Sequence, residues 1–169
     1  MDIPFTKGHG TGNDFIILYS EDVRSIDINP NLIQKLCNRR TGVGADGLLL
    51  LSPSDTHDFI MDYYNNDGSW ETMCANGARC AVLYMYDRGF IKNKTSFSAG
   101  DGQHDAEIGD DNNIRLRMKS PKYKTGSIKV KGFEGCYVDS GAKHFAVPVD
   151  DLSKIDVYHS GRKIRFSKE

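Results

Sequence analysis

Met73-Cys74-Ala75-Asn76-Gly77-Ala78-Arg79-Cys80-Ala81-Val82-Leu83-Tyr84-Met85-Tyr86-Asp87-Arg88-Gly89 carries a single charge between Ala78 and Tyr86, at Arg79. A helix written this way is apolar nearly all round, so other elements must enclose it on every side. Asn76 is placed to cap its start and Gly89 to stop its end. The strands that could enclose it lie on both sides in the chain. Phe15-Ile16-Ile17-Leu18-Tyr19 and Leu48-Leu49-Leu50-Leu51 are short apolar runs that read as buried strands. Phe59 to Tyr64 reads as another, closed by the turn residues Asn65-Asn66-Asp67-Gly68-Ser69.

An earlier helix has clear punctuation. Asn29 caps it, Pro30 fits its first turn, Leu32, Ile33 and Leu36 form its apolar face, and Gly42 lies beyond its end. Beyond Lys94 the pattern turns to short strands. Ile114, Leu116 and Met118 alternate with Arg115 and Arg117, entered from a turn at Asp110 to Asn113. Ser127 to Val130, Gly135 to Val138 and His144 to Val149 read similarly. The expected architecture is α+β, with twisted, mostly antiparallel strands wrapped around one buried central helix.

The 169 residues suffice for one ordinary domain. With 22 basic and 23 acidic residues and a net charge of −1, the chain has no global pull toward nucleic acid or anionic membrane. No apolar run reaches the roughly 18 residues that a membrane-spanning helix requires. The start, Met1-Asp2-Ile3-Pro4-Phe5-Thr6-Lys7, lacks the basic and apolar regions of a signal peptide, so a cytoplasmic location is expected. The four cysteines, Cys37, Cys74, Cys80 and Cys136, form no Cys-x2-Cys pair and have no histidine at zinc-ligand spacing. They read as free thiols, and no metal site is expected.

Cys74 stands just before the buried helix, where unpaired amides and the helix dipole favour an anion. The same amides are suited to a carboxylate. A thiol beside an anion site fits removal of a proton next to a carboxylate, while a small packed residue remains the other reading of Cys74. Cys80 and Cys37 read as core residues, and Cys136, in a strand, stays open between the two readings with burial favoured. Gly8-His9-Gly10-Thr11-Gly12-Asn13 lacks the spacing and following helix of a dinucleotide fingerprint. There Asn13 offers a donor and an acceptor to a polar ligand, or a local turn bond. His144 is placed either to tune a thiol or to make an ordinary hydrogen bond.

Four stretches then carry a resemblance. His9-Gly10-Thr11-Gly12-Asn13-Asp14-Phe15, Gly42-Val43-Gly44-Ala45-Asp46-Gly47, Asn65-Asn66-Asp67-Gly68-Ser69 and Met73-Cys74-Ala75-Asn76-Gly77-Ala78-Arg79-Cys80 occur in order and resemble the successive motifs of the diaminopimelate epimerase family. A weaker match continues through Gly141 to Val147 and Asp156 to Arg165. The resemblance implies a lobe of strands around a central helix, one of two similar lobes with the site between them. It implies interconversion of LL- and meso-diaminopimelate, for lysine and peptidoglycan, without pyridoxal phosphate, metal or other cofactor. Two cysteines act across the substrate α-carbon, and Cys74 matches the first. Asn13 and Asn65 match substrate-binding residues, the Ala75-Asn76 backbone matches the α-carboxylate site, and His144 matches a thiol-tuning histidine.

Three departures qualify the resemblance. The chain stops at Glu169, so residues 1–169 are expected to form a single N-terminal lobe lacking the C-terminal lobe and its second cysteine. Ala75 stands where the family usually has glycine, and Gly141-Ala142-Lys143-His144 where it usually has Gly-Asn-Pro-His. The isolated chain is therefore expected to be inactive, with a small-molecule substrate and either a second copy or the missing lobe as partner. Two other readings stay open: a non-catalytic half-length binding or scaffold homologue, and a related isomerase of another small acid.

Overall fold

A parallel strand pair needs a crossover of a dozen residues or more, and the chain has two, each filled by a helix. The computed structural model describes residues 2–111 and 113–167. Asn112, in the turn expected at Asp110 to Asn113, and the terminal Glu169 lie outside them. The chain divides into two compact units, one ending at Met118 and one starting at Lys119.

In the first unit, β1 (Thr6–Gly10) and β2 (Asn13–Tyr19) form an antiparallel hairpin. Thr11 and Gly12, both at positive φ (55° and 86°), make its two-residue turn, the primed geometry that matches strand twist. Helix α1 (Pro30–Cys37) then crosses over to β3 (Gly47–Ser52), which pairs parallel to β2. Asn29 caps α1 as expected, its side chain accepting from the Leu32 amide at 3.0 Å. β4 (Phe59–Asn65) runs antiparallel to β3 and carries the short β5 (Trp70–Glu71). Helix α2 (Ala75–Asp87) crosses to β6 (Lys94–Ala99), parallel to β4, and β7 (Gly102–Ile108) and β8 (Ile114–Arg117) complete an antiparallel meander. The sheet is thus mixed, in the order β1-β2-β3-β4-β6-β7-β8, with β5 beside β4.

Strand β2 is buried on both faces, which is why its sequence is continuously apolar rather than alternating. Phe15 and Ile17 pack with Leu49, Leu51, Met61, Ala78, Val82 and Met85 around α2. Ile16 and Leu18 turn the other way, to Ile33, Cys37 and Leu48 under α1. Both edge strands of the main sheet, β1 and β8, touch α2, so the sheet curls around that helix. Enclosure is one-sided, which corrects the expectation of a helix buried all round. Gly77, Ala78, Ala81, Val82, Tyr84 and Met85 are buried, whereas Arg79, Cys80 and Leu83 are half-buried and Tyr86 is exposed. A sheet that curls without closing reaches only part of a helix surface.

Charge fastens the β1–β2 hairpin to the α1–β3 connection. Asp14 accepts from Lys7 and, through both oxygens, from the Arg39 guanidinium at 2.7 and 3.1 Å. Arg39 also reaches Asp46 at 2.7 Å, and the Asp46 amide donates to the Asp14 side chain at 3.0 Å. The Arg39 pairing holds the Asp14 carboxyl well below the usual carboxylate range, overcoming the opposing effect of desolvation.

The second unit has a smaller antiparallel sheet of β9 (Lys122–Tyr123), β10 (Ile128–Val130), β11 (Phe133–Asp139) and β12 (Lys143–Ala146). The last strand ends before the expected Val149, because Pro148 has no N–H for the ladder. Helix α3 (Val157–Arg165) follows, capped by Asp156, which accepts from the His159 amide at 2.9 Å. Among this unit's described residues, Val130 is the one buried hydrophobic side chain, and Tyr123, Leu152, Val157, Tyr158 and Phe166 are exposed.

Two outcomes follow for stability. Leu49→Ala, at a fully buried position against α2, is expected to cost about 2–5 kcal/mol in chemical denaturation. Because the Asp14 carboxyl titrates lower folded than unfolded, its contribution is complete above the ordinary carboxylate range and fades as pH falls through its folded value. Asp14→Asn should therefore unfold at lower denaturant than the parent at pH 7, with the gap narrowing progressively below about pH 4.

Candidate functional site

Cys74 is the residue from which α2 starts. Its backbone is extended (φ −136°, ψ 112°) while its carbonyl already accepts the Ala78 amide at 2.8 Å. That makes Cys74 the N-cap and Asn76 the second helical residue, a correction to the expectation that Asn76 caps the helix. The Asn76 side chain instead donates to Asn13 and accepts from Arg79, one turn further along the same helix, so it does not serve as the cap. The amides of Ala75, Asn76 and Gly77 lie in the first turn and have no carbonyl within the helix to bond. The Cys74 side chain is half-buried at this end and makes no capping bond.

Two glycines permit the approach of neighbouring backbone. A Cβ on Gly10 would lie 3.0 Å from the Asn76 carbonyl oxygen and 3.2 Å from its Cα. With none there, the β1–β2 turn can sit against the head of α2. A Cβ on Gly77 would lie 2.9 Å from a Leu49 methyl, so glycine lets the helix settle on β3.

Through this approach Asn13, at the start of β2, meets Cys74 and Asn76, which lie far away in sequence. The Cys74 thiol is 3.8 Å from Asn13 Oδ1, within range for a sulfur donor, and Asn76 Nδ2 donates to the same oxygen at 3.3 Å. Asn13 Nδ2 donates to Asp46 Oδ2 at 3.0 Å, and Arg79 donates to Asn76 Oδ1. Sequence reasoning had singled out neither Asp46 nor Arg79 as a site residue. Arg79, the lone charge in an apolar helix, was the available signal.

Asn65 is held separately, at the end of β4. It accepts from the Tyr63 hydroxyl at 2.7 Å and donates to Ser69 Oγ at 3.1 Å. Tyr63 packs against the same core as Cys74. Its phenol is pushed up to about 12, first by burial and then by the negative charge of Cys74 and Glu71 nearby. The fold therefore gathers Asn13, Cys74, Ala75 and Asn76 directly and links Asn65 to them through Tyr63. His144 lies in the second unit, exposed on β12 opposite Val138.

The other thiols differ in setting. Cys37 is buried under α1, and burial pushes it up to about 11. Cys80 is half-buried one and a half turns or so along α2, and burial pushes it up as well. All four cysteines are free. Among the described residues, no group of three or more His, Cys, Asp or Glu side chains is arranged to hold a metal ion. No helix among them is long and apolar enough to cross a membrane.

Comparison with known proteins places the chain in a family. The family model described as diaminopimelate epimerase matches residues 5–126. The diaminopimelate epimerase of Flavobacterium psychrophilum is 44% identical over 163 residues, covering 95% of this chain and 61% of its own length. That of Aquifex aeolicus is 36% identical over 178 residues, covering 98% of this chain and 64% of its own. The chain thus spans about three-fifths of the length of these relatives. Among solved structures, a phenazine biosynthesis protein of Bacillus anthracis superposes with a TM-score of 0.64 at 17% identity, over 88% of this chain and 56% of that one. A hydroxyproline epimerase of Agrobacterium vitis, with bound trans-4-hydroxy-L-proline, gives 0.64 at 11% identity, over 89% and 53%. At such identities the structural likeness speaks to fold alone. The sequence matches go further, and on them the chain belongs to the diaminopimelate epimerase family.

Proposed function

We propose that this chain is the N-terminal lobe of a cofactor-independent epimerase that interconverts LL- and meso-diaminopimelate in the cytoplasm. Cys74 serves as one of its two acid/base groups, and the second lobe lies outside this sequence. The observation that carries the reading is the position of Cys74. Its sulfur is half-buried at the head of α2, beside unpaired first-turn amides and the side chains of Asn13 and Asn76. A thiol sealed in hydrocarbon would have had no access to a substrate.

The chemistry follows from that setting. The Ala75 and Asn76 amides receive the substrate α-carboxylate, and the positive end of the helix favours its charge. The Cys74 thiolate takes the α-proton on one face, and the electron pair left on carbon is drawn toward the bound carboxylate. A second thiol returns a proton on the opposite face, so the configuration inverts while one thiol is consumed and one formed. Asn13 and Asn65 hold polar groups of the substrate, and His144 tunes a thiol.

The second thiol must come from elsewhere. Cys37 is sealed beneath α1 and Cys80 shares the Cys74 helix, so neither fits a position facing Cys74 across a substrate, and Cys136, in the second unit, does not match the family's second-cysteine motif. The chain's coverage of only 61–66% of several relatives supports the same conclusion. The isolated chain is accordingly inactive.

The test is deuterium uptake from heavy water at the α-carbon of diaminopimelate, read by mass spectrometry. A protein containing this sequence and the second lobe should exchange and epimerise, and Cys74→Ala should reduce exchange by about 100-fold or more. Undiminished exchange in that variant would remove Cys74 from the mechanism. The 169-residue chain by itself should interconvert neither isomer; turnover by it would overturn the need for a second lobe.

A further inference from the structure

Two side-chain amides meet at the Cys74 sulfur, and an amide can present either its oxygen or its nitrogen to a neighbour. Here groups with only one hydrogen-bonding role decide the orientation of both. Asp46, a carboxylate paired with Arg39 2.7 Å away, can only accept. Asn13 must therefore turn Nδ2 toward it, at 3.0 Å, and Oδ1 toward Cys74 and Asn76. At the other end Arg79 can only donate, so Asn76 must turn Oδ1 toward the guanidinium and Nδ2 toward Asn13. Thr11 Oγ1 lies 3.4 Å from Asn76 Oδ1 but gives its proton to the Gly10 carbonyl at 2.7 Å, so Arg79 sets the orientation. The chain from Arg39 through Asp46, Asn13 and Asn76 to Arg79 alternates donor and acceptor with no mismatch.

We infer that Asp46 and Arg79 are positioning residues that lock the Asn13 and Asn76 amides, so that a carbonyl oxygen and never an N–H faces the Cys74 sulfur. The inference rests on the reading of Cys74 as the acid/base thiol. An oxygen there accepts from the thiol and repels the thiolate, so it receives the S–H once the sulfur has gained a proton. It also fixes what Asn13 offers a ligand. Both approaches to its oxygen are occupied within the protein, which leaves the second N–H, a donor suited to a carboxylate.

Asp46→Asn breaks the lock. If the new side chain keeps its oxygen on Arg39, its nitrogen replaces Asp46 Oδ2 and now donates to Asn13. Asn13 then has a donor on each side, Asn76 Nδ2 and the new amide nitrogen, so its orientation is no longer fixed and its N–H is free to turn to the sulfur, where it stabilises the thiolate. Arg79→Met frees the Asn76 amide, and Arg79→Lys keeps a donor.

The experiment measures iodoacetamide alkylation of Cys74 at pH 7 in the 169-residue chain, by peptide mass mapping. Cys37, buried and with its thiol pushed up to about 11, reports whether each variant stays folded by remaining unlabelled. Asp46→Asn should raise the Cys74 rate at least about threefold. Arg79→Met should change it in the same direction and Arg79→Lys should restore the parent rate. In an Asn13→Ala background, Asp46→Asn should have no further effect, because its action passes through Asn13. Folded variants with rates within about twofold of the parent, or an Asp46→Asn effect that persists without Asn13, would overturn the inference. Should Asp46→Asn label Cys37 and so prove unfolded, the Arg79 pair decides on the same criterion. The readout needs no turnover, so its failure is distinct from a failure of the epimerase reading, which the deuterium experiment reports.

Discussion

The first unit is organised around a helix with too little polar surface to stand alone. Burying Ala78, Ala81, Val82 and Met85 of α2 requires a sheet that bends, and contact of both edge strands with the helix shows that it does. Two parallel pairings follow, because α1 and α2 each occupy a crossover on a face of the sheet. The order of the strands and the double-sided burial of β2 are consequences of that one requirement.

The same enclosure brings the site together. A helix packed into a curled sheet presents its leading end to whatever lies at the sheet's rim, and here that is the β1–β2 turn. Gly10 lets the turn approach the Asn76 backbone closely, and Asn13 follows it to the Cys74 sulfur. Tertiary packing is thus what converts a helix start into a place where a thiol, free amides and oriented side chains converge. The ion pairs of Asp14, Arg39 and Asp46 lie directly behind Asn13, so elements that hold the hairpin in place also set the polarity of the site.

The two units differ in how much of themselves they bury. The first has two apolar clusters, one on each side of β2 and β3. In the second, a short sheet and α3 leave several large apolar side chains in contact with solvent.

Much of the fold was legible residue by residue. Asn29 and Pro30 marked the start of α1, the runs at Phe15–Tyr19, Leu48–Leu51 and Phe59–Tyr64 marked strands, and Gly89 marked the end of α2, where it sits at φ 73°. Strands β6 and β7 were not individually legible, because their inward positions include Thr95 and His104. These are polar residues made acceptable in the core by Asp58 and Asp101. Helix α3 was missed as well, since its few apolar residues sit among charges with Gly161 in its middle. By itself the sequence determined local punctuation, the apolar helix and the place of Cys74 at its head. Only the tertiary structure decided that Cys74 rather than Asn76 is the cap, that the helix is enclosed on one side, and that Asp46 and Arg79 stand behind the two amides. The contacts that join Asp46 and Asn76 to Asn13 link residues 33 and 63 positions apart, which no local pattern of residue types encodes.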